Sequence, residues 1–130
     1  MASKSIMMYS VSYDEASGTV AARVFGKALH SDHMAAREEA KRICSERHCK
    51  RLLVDLRDLD TEHSTDMDMF SFGRSTAKYL TGLRVAYVVP QDGKSTEGLR
   101  FTLMVGESPS VIAAEFVSYD AALEWLQKGL

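Results

Sequence analysis

Residues 50–60 read KRLLVDLRDLD, and the run Leu52, Leu53, Val54 is too apolar to alternate with polar residues. An extended chain points successive side chains to opposite sides, so such a run is expected of a central strand covered on both faces. LRVAYVV at 83–89 repeats this character. A helix spanning roughly Thr65 to Leu80 would join the two runs as a parallel pair with a helical crossover. Asp55 is the exception inside the first run. A carboxylate there must be paired or lie near the strand end, and Arg57, Arg84 or a loop amide are its candidate partners. A perturbed acid at the carboxyl end of a parallel strand would mark a ligand crevice.

Toward the amino terminus, Met7, Tyr9, Val11 and Tyr13 alternate with Met8, Ser10 and Ser12, the period of a half-buried strand. DEASG supplies turn chemistry, and TVAARVF resumes with Val20, Ala22 and Val24 on one side, which predicts an antiparallel hairpin closed by Gly26. Ser31 is the expected cap of a helix carrying Ala36, Ala40, Ile43 and Cys44 at helical spacing through about His48. Beyond Pro90, LRFTLMV fits a short helix after Ser95 or Thr96, with a strand as the competing reading. AAEFV reads as the last strand. Ser118 then caps a final helix whose stripe is Ala122, Leu123, Trp125 and Leu126. The expected architecture is one α/β domain over residues 1–130: a mixed sheet of about five strands, the first antiparallel, with about four helices packed mainly against it.

The 130-residue length suits a single core that needs no metal or disulfide to fold. With 26% charged residues, a net charge of -2 and no basic stripe, neither nucleic acid nor an anionic membrane is an expected partner. No apolar run is long enough to span a bilayer, and MASKSIMMYSVS lacks the core of a signal peptide, so a cytoplasmic setting is expected. Cys44 and Cys49 lie five apart near a helix end, where continued helical geometry would hold them too far apart for a disulfide; both are expected as reduced thiols.

The order strand, strand, helix, then three strand and helix units resembles the STAS fold of bacterial anti-sigma-factor antagonists. KRLLVDLRDLD, LRVAYVVPQDG, GLRF and FVSYDAALEWL look like a family of small bacterial STAS-like proteins that is similar also to lipid-transfer (CRAL-TRIO) domains. The resemblance implies the fold, and it implies a regulatory or protein-interaction role. In the antagonists the loop after the strand equivalent to LLVDL carries Asp-Ser-Ser-Gly or similar, and a kinase partner phosphorylates a hydroxyl there. That motif falls on His63, Ser64, Thr65 and Asp66, with His63 in place of the acid and Asp66 in place of the glycine.

The loop 58–68, DLDTEHSTDMD, carries the signals of three chemistries. Asp58, Asp60 and Glu62 have the one-three-five spacing of a calcium loop, but His63 stands where glycine must turn the chain and Met69 where a bidentate glutamate is required. A phosphate on Thr65 would gain about 0.3 to 1 kcal/mol from a helix N-terminus. Against that, its two charges about 6 Å from one carboxylate repel by roughly 1.4 kcal/mol in water, and Asp66 and Asp68 are both near. The third reading assigns Ser64 or Thr65 as a helix cap and Asp66 and Asp68 as first-turn acids, leaving an acidic docking edge.

DGKST at 92–96 has the end of a phosphate loop without its glycines. His30 and His33 share a helix start and lack a third metal ligand by spacing. No spacing suggests a nucleophilic triad or a dinucleotide fingerprint. Asp55, Met69, Phe72 and Tyr87 are candidate lining for an apolar pocket. The sequence therefore leads to a non-catalytic interaction module without metal or cofactor, docking a protein partner through Asp58, Asp60, Glu62, His63, Ser64, Thr65, Asp66 and Asp68, with a homodimer left open. The alternatives are a carrier or sensor of a small apolar, lipid-like ligand and a phosphorylation-switched antagonist.

Overall fold

A computed structural model of the protein describes residues 8–59, 79–80, 82–90 and 112–128. Within them the chain forms β1 (Tyr9–Asp14), β2 (Thr19–Val24), α1 (His30–Glu46), β3 (Arg51–Asp55), β4 (Arg84–Val88), β5 (Ile112–Phe116) and α2 (Tyr119–Lys128). The five strands make one sheet in the order β1-β2-β3-β4-β5. β1 pairs antiparallel with β2, and every other pair is parallel. The α/β class, the five-stranded mixed sheet and the antiparallel first strand agree with the sequence. Two helices are described where about four were expected. Apart from Tyr79 and Leu80, the segments read as the other two, Thr65 to Leu80 and the stretch after Ser95 or Thr96, lie outside the described residues.

The apolar run in β3 is explained by what covers it. Leu52 packs with Ala40 and Cys44 of α1, and its neighbour Leu53 packs with Ala122 and Leu126 of α2. Consecutive strand residues point to opposite faces, so the two helices lie on opposite faces of the sheet. Leu53 and Leu126 are fully buried, and each contributes about 1.5 to 3 kcal/mol relative to exposure. On the α1 face the buried helical residues include Ala36, Ala40 and Cys44, small side chains that let the helix approach β1 and β2 closely. The α2 face covers β3, β4 and β5, leaving Ser10, Ser12 and Arg23 exposed on the same side of β1 and β2.

Helix α1 begins one residue earlier than its expected cap. Leu29, not Ser31, occupies the N-cap position. The capping work falls to Asp32, whose carboxylate accepts the Leu29 N–H at 2.8 Å and the Met8 N–H at 3.4 Å. An acid at the third helical position reaches back to the preceding amide as in half of a capping box, and here it also ties the start of β1 to the helix. Ser118 is the cap expected for α2, accepting the Ala121 N–H through its hydroxyl at 3.2 Å. At the end of β2, Gly26 has φ of 62° and a Cβ there would lie 3.3 Å from the Met8 sulfur. Its N–H donates to the Asp58 carbonyl at 2.9 Å, so the turn that leaves β2 is joined to the loop that leaves β3.

Candidate functional site

The parallel strands β2 to β5 end on the same side of the sheet, where open α/β folds bind ligands and partners. Cross-strand register places Arg23, Asp55, Val88 and Phe116 in one row on the α2 face at this end. Asp55 is buried, with 5% of its surface exposed. Its partner is Arg57: Oδ1 accepts the Arg57 N–H at 3.1 Å and Nε–H at 2.9 Å, and Oδ2 accepts from an Nη at 2.8 Å. The backbone bond is an Asx-type turn between residues two apart, and the side-chain bonds are a bidentate fork. The sequence places the two residues at the spacing this turn requires.

Burial pushes the Asp55 carboxyl up, but the Arg57 side chain, the Arg57 amide and the charges of Arg57 and Arg23 together hold it below its ordinary value. Asp55 is thus a fixed anion that accepts three hydrogen bonds, all from Arg57. Arg57 is raised in turn, first by its hydrogen bond to Asp55. Its guanidinium lies 5.3 Å from the centre of the Tyr119 ring at the start of α2. Burial raises the Tyr119 hydroxyl, with Asp55 adding to the effect, so the phenol stays protonated.

A second charge pair flanks the first. Arg23 meets Asp58 at 2.8 Å, both side chains well exposed at 45% and 62%. The Arg23 guanidinium also stands over the Phe25 ring at 4.4 Å. The segment between the pairs is firmly placed, since Leu56 and Leu59 are buried against Val24, Ala28 and Ala36, and the Leu56 N–H donates to the Val88 carbonyl at 2.8 Å. Arg57 and Asp58 are therefore held outward by a buried residue on either side. The result is a rim of alternating charges, Arg23, Asp58, Arg57 and Asp55, with aromatic rings beneath both arginines.

Asp55 and Tyr87 do not come together. Tyr87 pairs in register with Val54 and packs half-buried on the α1 face, while Asp55 faces α2. Met69 and Phe72 lie outside the described residues, as do Asp60, Glu62, His63, Ser64, Thr65, Asp66 and Asp68; of the acidic loop only Asp58 and Leu59 are described. Arg23 and Tyr119 belong to the rim and carry no signal in the sequence, because only strand register and the docking of α2 bring them to Asp55. His33, in the first turn of α1, is pushed down to about 4, by burial first and the charge of His30 second, with Asp32 opposing. No group of three metal-ligating side chains occurs among the described residues, and no described helix is long and apolar enough to cross a membrane.

A cleft of about 310 Å³ lies at the opposite, amino end of β3 and β4, beside the last turn of α1. Cys44 and Cys49 line it, and both are free thiols. Helical geometry does not continue as far as Cys49, because α1 stops at Glu46 and His48 takes the left-handed conformation, φ 52°, turning the chain back. No protein-family model, no curated protein and no solved structure matches this chain.

Proposed function

We propose that the chain is a non-catalytic, STAS-like regulatory module of a bacterial cytoplasm, which docks a protein partner on the rim at the carboxyl ends of its parallel strands. One observation carries the reading: every ionised group of this rim already has a fixed partner of opposite charge, while Arg23, Arg57 and Asp58 still present exposed surface. An acid or base poised for catalysis needs a proton affinity near the working pH and a free lone pair. Asp55 is held below its ordinary value and forked to Arg57, and Tyr119 keeps its proton. Outward-held arginines over aromatic rings, with polar pairs around them, instead resemble the anchor chemistry of protein interfaces. In this reading the acidic residues Asp60, Glu62, Asp66 and Asp68 extend the docking edge, and steer a basic partner surface.

A photo-crosslinking residue at position 57, introduced in the native host, tests this proposal, with position 124 on the exposed side of α2 as control. The expected result is one discrete protein adduct from position 57 and none from 124. Association of the recovered partner should slow in Asp58→Asn, and the difference should vanish at high ionic strength. An apolar molecule retained in native mass spectrometry, with no adduct from position 57, would make the carrier reading the better one. Phosphate at high occupancy on Ser64 or Thr65 would favour the switched antagonist.

A further inference from the structure

We propose that Cys44 and Cys49 form a redox-active dithiol, which closes into an intramolecular disulfide on reaction with a small carboxylate-bearing disulfide such as oxidised glutathione. The geometry comes from the way α1 ends. The Cys49 N–H donates to the Cys44 carbonyl at 2.9 Å and the His48 N–H to the Ser45 carbonyl at 3.4 Å, the paired bonds of a Schellman motif with His48 in the left-handed position usually filled by glycine. In that motif the first and last residues fold over one another and usually make an apolar contact. Here both are cysteines, and both belong to one packed cluster of buried side chains.

The backbone fixes the Cys49 sulfur in place. It lies 3.2 Å from the Gly18 carbonyl and 3.3 Å from the Arg51 carbonyl, either of which its proton can reach, and it accepts the Arg51 N–H at 3.5 Å. Both cysteines line the cleft of about 310 Å³, with Lys41 and Lys50 also on its walls. The volume is at the lower end of the range for small-molecule pockets, and the two ammonium groups suit a reagent that carries carboxylates.

The exposures assign the roles. Cys49, 8% exposed against 3% for Cys44, loses its proton and attacks the reagent, breaking the reagent's sulfur–sulfur bond and releasing one reagent thiol. Cys44 then attacks the Cys49 sulfur in the mixed disulfide and expels the second reagent thiol, which leaves with the Cys44 proton. Two protein thiols and one reagent disulfide become one protein disulfide and two reagent thiols; two electrons pass from the cysteine sulfurs to the reagent. Burial, with Cys49 second, pushes the Cys44 thiol up to about 12, which keeps it protonated and leaves the first attack to Cys49.

Native protein equilibrated with mixtures of reduced and oxidised glutathione, then acid-quenched and mapped by mass spectrometry, tests the assignment. The expected product is a chain lighter by two hydrogens, with a peptide cross-linked between Cys44 and Cys49 and no lasting adduct. Cys44→Ser should instead accumulate one glutathione on Cys49. The proposal is overturned if both thiols of the folded wild type stay free across the mixtures, if the cross-link appears only after urea unfolds the chain, or if it joins two copies.

Discussion

At the carboxyl end of the parallel strands Asp55 finds its charge partner two residues along the chain, in Arg57. At the amino end Arg84 reaches across 41 residues to the Trp125 carbonyl, at 3.0 Å, and stacks 3.6 Å from the Trp125 ring. Gln127 likewise donates to the Ser17 carbonyl 110 residues away, at 2.6 Å. The carboxyl end carries a local turn that holds Asp55 inward and Arg57 outward. The amino end is a set of struts tying α2 to the hairpin and to β4. A rim made of one local pair and one exposed pair, Arg23 with Asp58, can exchange its charge partners for a partner's groups without loosening the core, whereas the struts at the other end hold the fold together. The proposed docking surface rests on this difference, and experiment can break it.

The largest expected effect is of pH on the carboxyl end, at the start of α1. His33 sits at about 4 in the folded chain against 6.5 when free. Between these values the unfolded state takes up a proton that the folded state does not, so stability is complete above about 6.5 and falls as pH drops toward 4. The span limits the loss to about 3 kcal/mol. Urea unfolding from pH 7 to pH 4 measures it, and His33→Gln should remove this part of the slope while carboxylate contributions remain. An unchanged slope in the variant would show that the histidine is not desolvated.

Next in size is Asp55→Ala. It removes a buried carboxylate and three hydrogen bonds, but the abandoned Arg57 side chain is 45% exposed and can rehydrate. The cost should be about 2 kcal/mol, below that of a fully buried pair. Denaturant midpoints at pH 7 report it, and a cost well above this would mean that the pair is part of the fold's support and not an exchangeable rim.

At the amino end, Arg84→Leu should cost about 1 kcal/mol, from the lost ring stacking and the lost bond to the last turn of α2. The Arg84 Nε is buried without a hydrogen-bond partner, so part of the loss is returned. Amide exchange should accelerate in α2 and leave the Asp55 loop unchanged. If protection fell equally at both ends, the distinction between strut and rim would fail.

The smallest effect belongs to Arg23 and Asp58. A double-mutant cycle with Arg23→Gln and Asp58→Asn should give a coupling of no more than about 0.5 kcal/mol, as for other exposed pairs, and it should fade with salt. A coupling that survived high salt would mark a pair committed to stability and unavailable to a partner.

Residues 51–56 announced a strand covered on both faces because Leu52, Leu53 and Val54 leave no polar side. The hairpin followed from alternation at Tyr9, Val11 and Tyr13, the last helix from Ser118, and the pairing of Asp55 from an arginine two residues on. All of these are local, set by the period of the backbone or by hydrogen bonds between near neighbours. What the tertiary structure alone decided is of another kind. That Arg23 stands beside Asp55, and that Tyr87 faces away from it, depends on strand register. That Tyr119 underlies Arg57 depends on where α2 docks. Asp32 replaces Ser31 at the head of α1 because the incoming β1 offers an amide to the same carboxylate. Cys44 and Cys49 line one cleft because His48 adopts a left-handed conformation that its side chain does not advertise. Local pattern fixes which residues are buried; only the assembled sheet, which brings distant segments to one edge, fixes which of them act together.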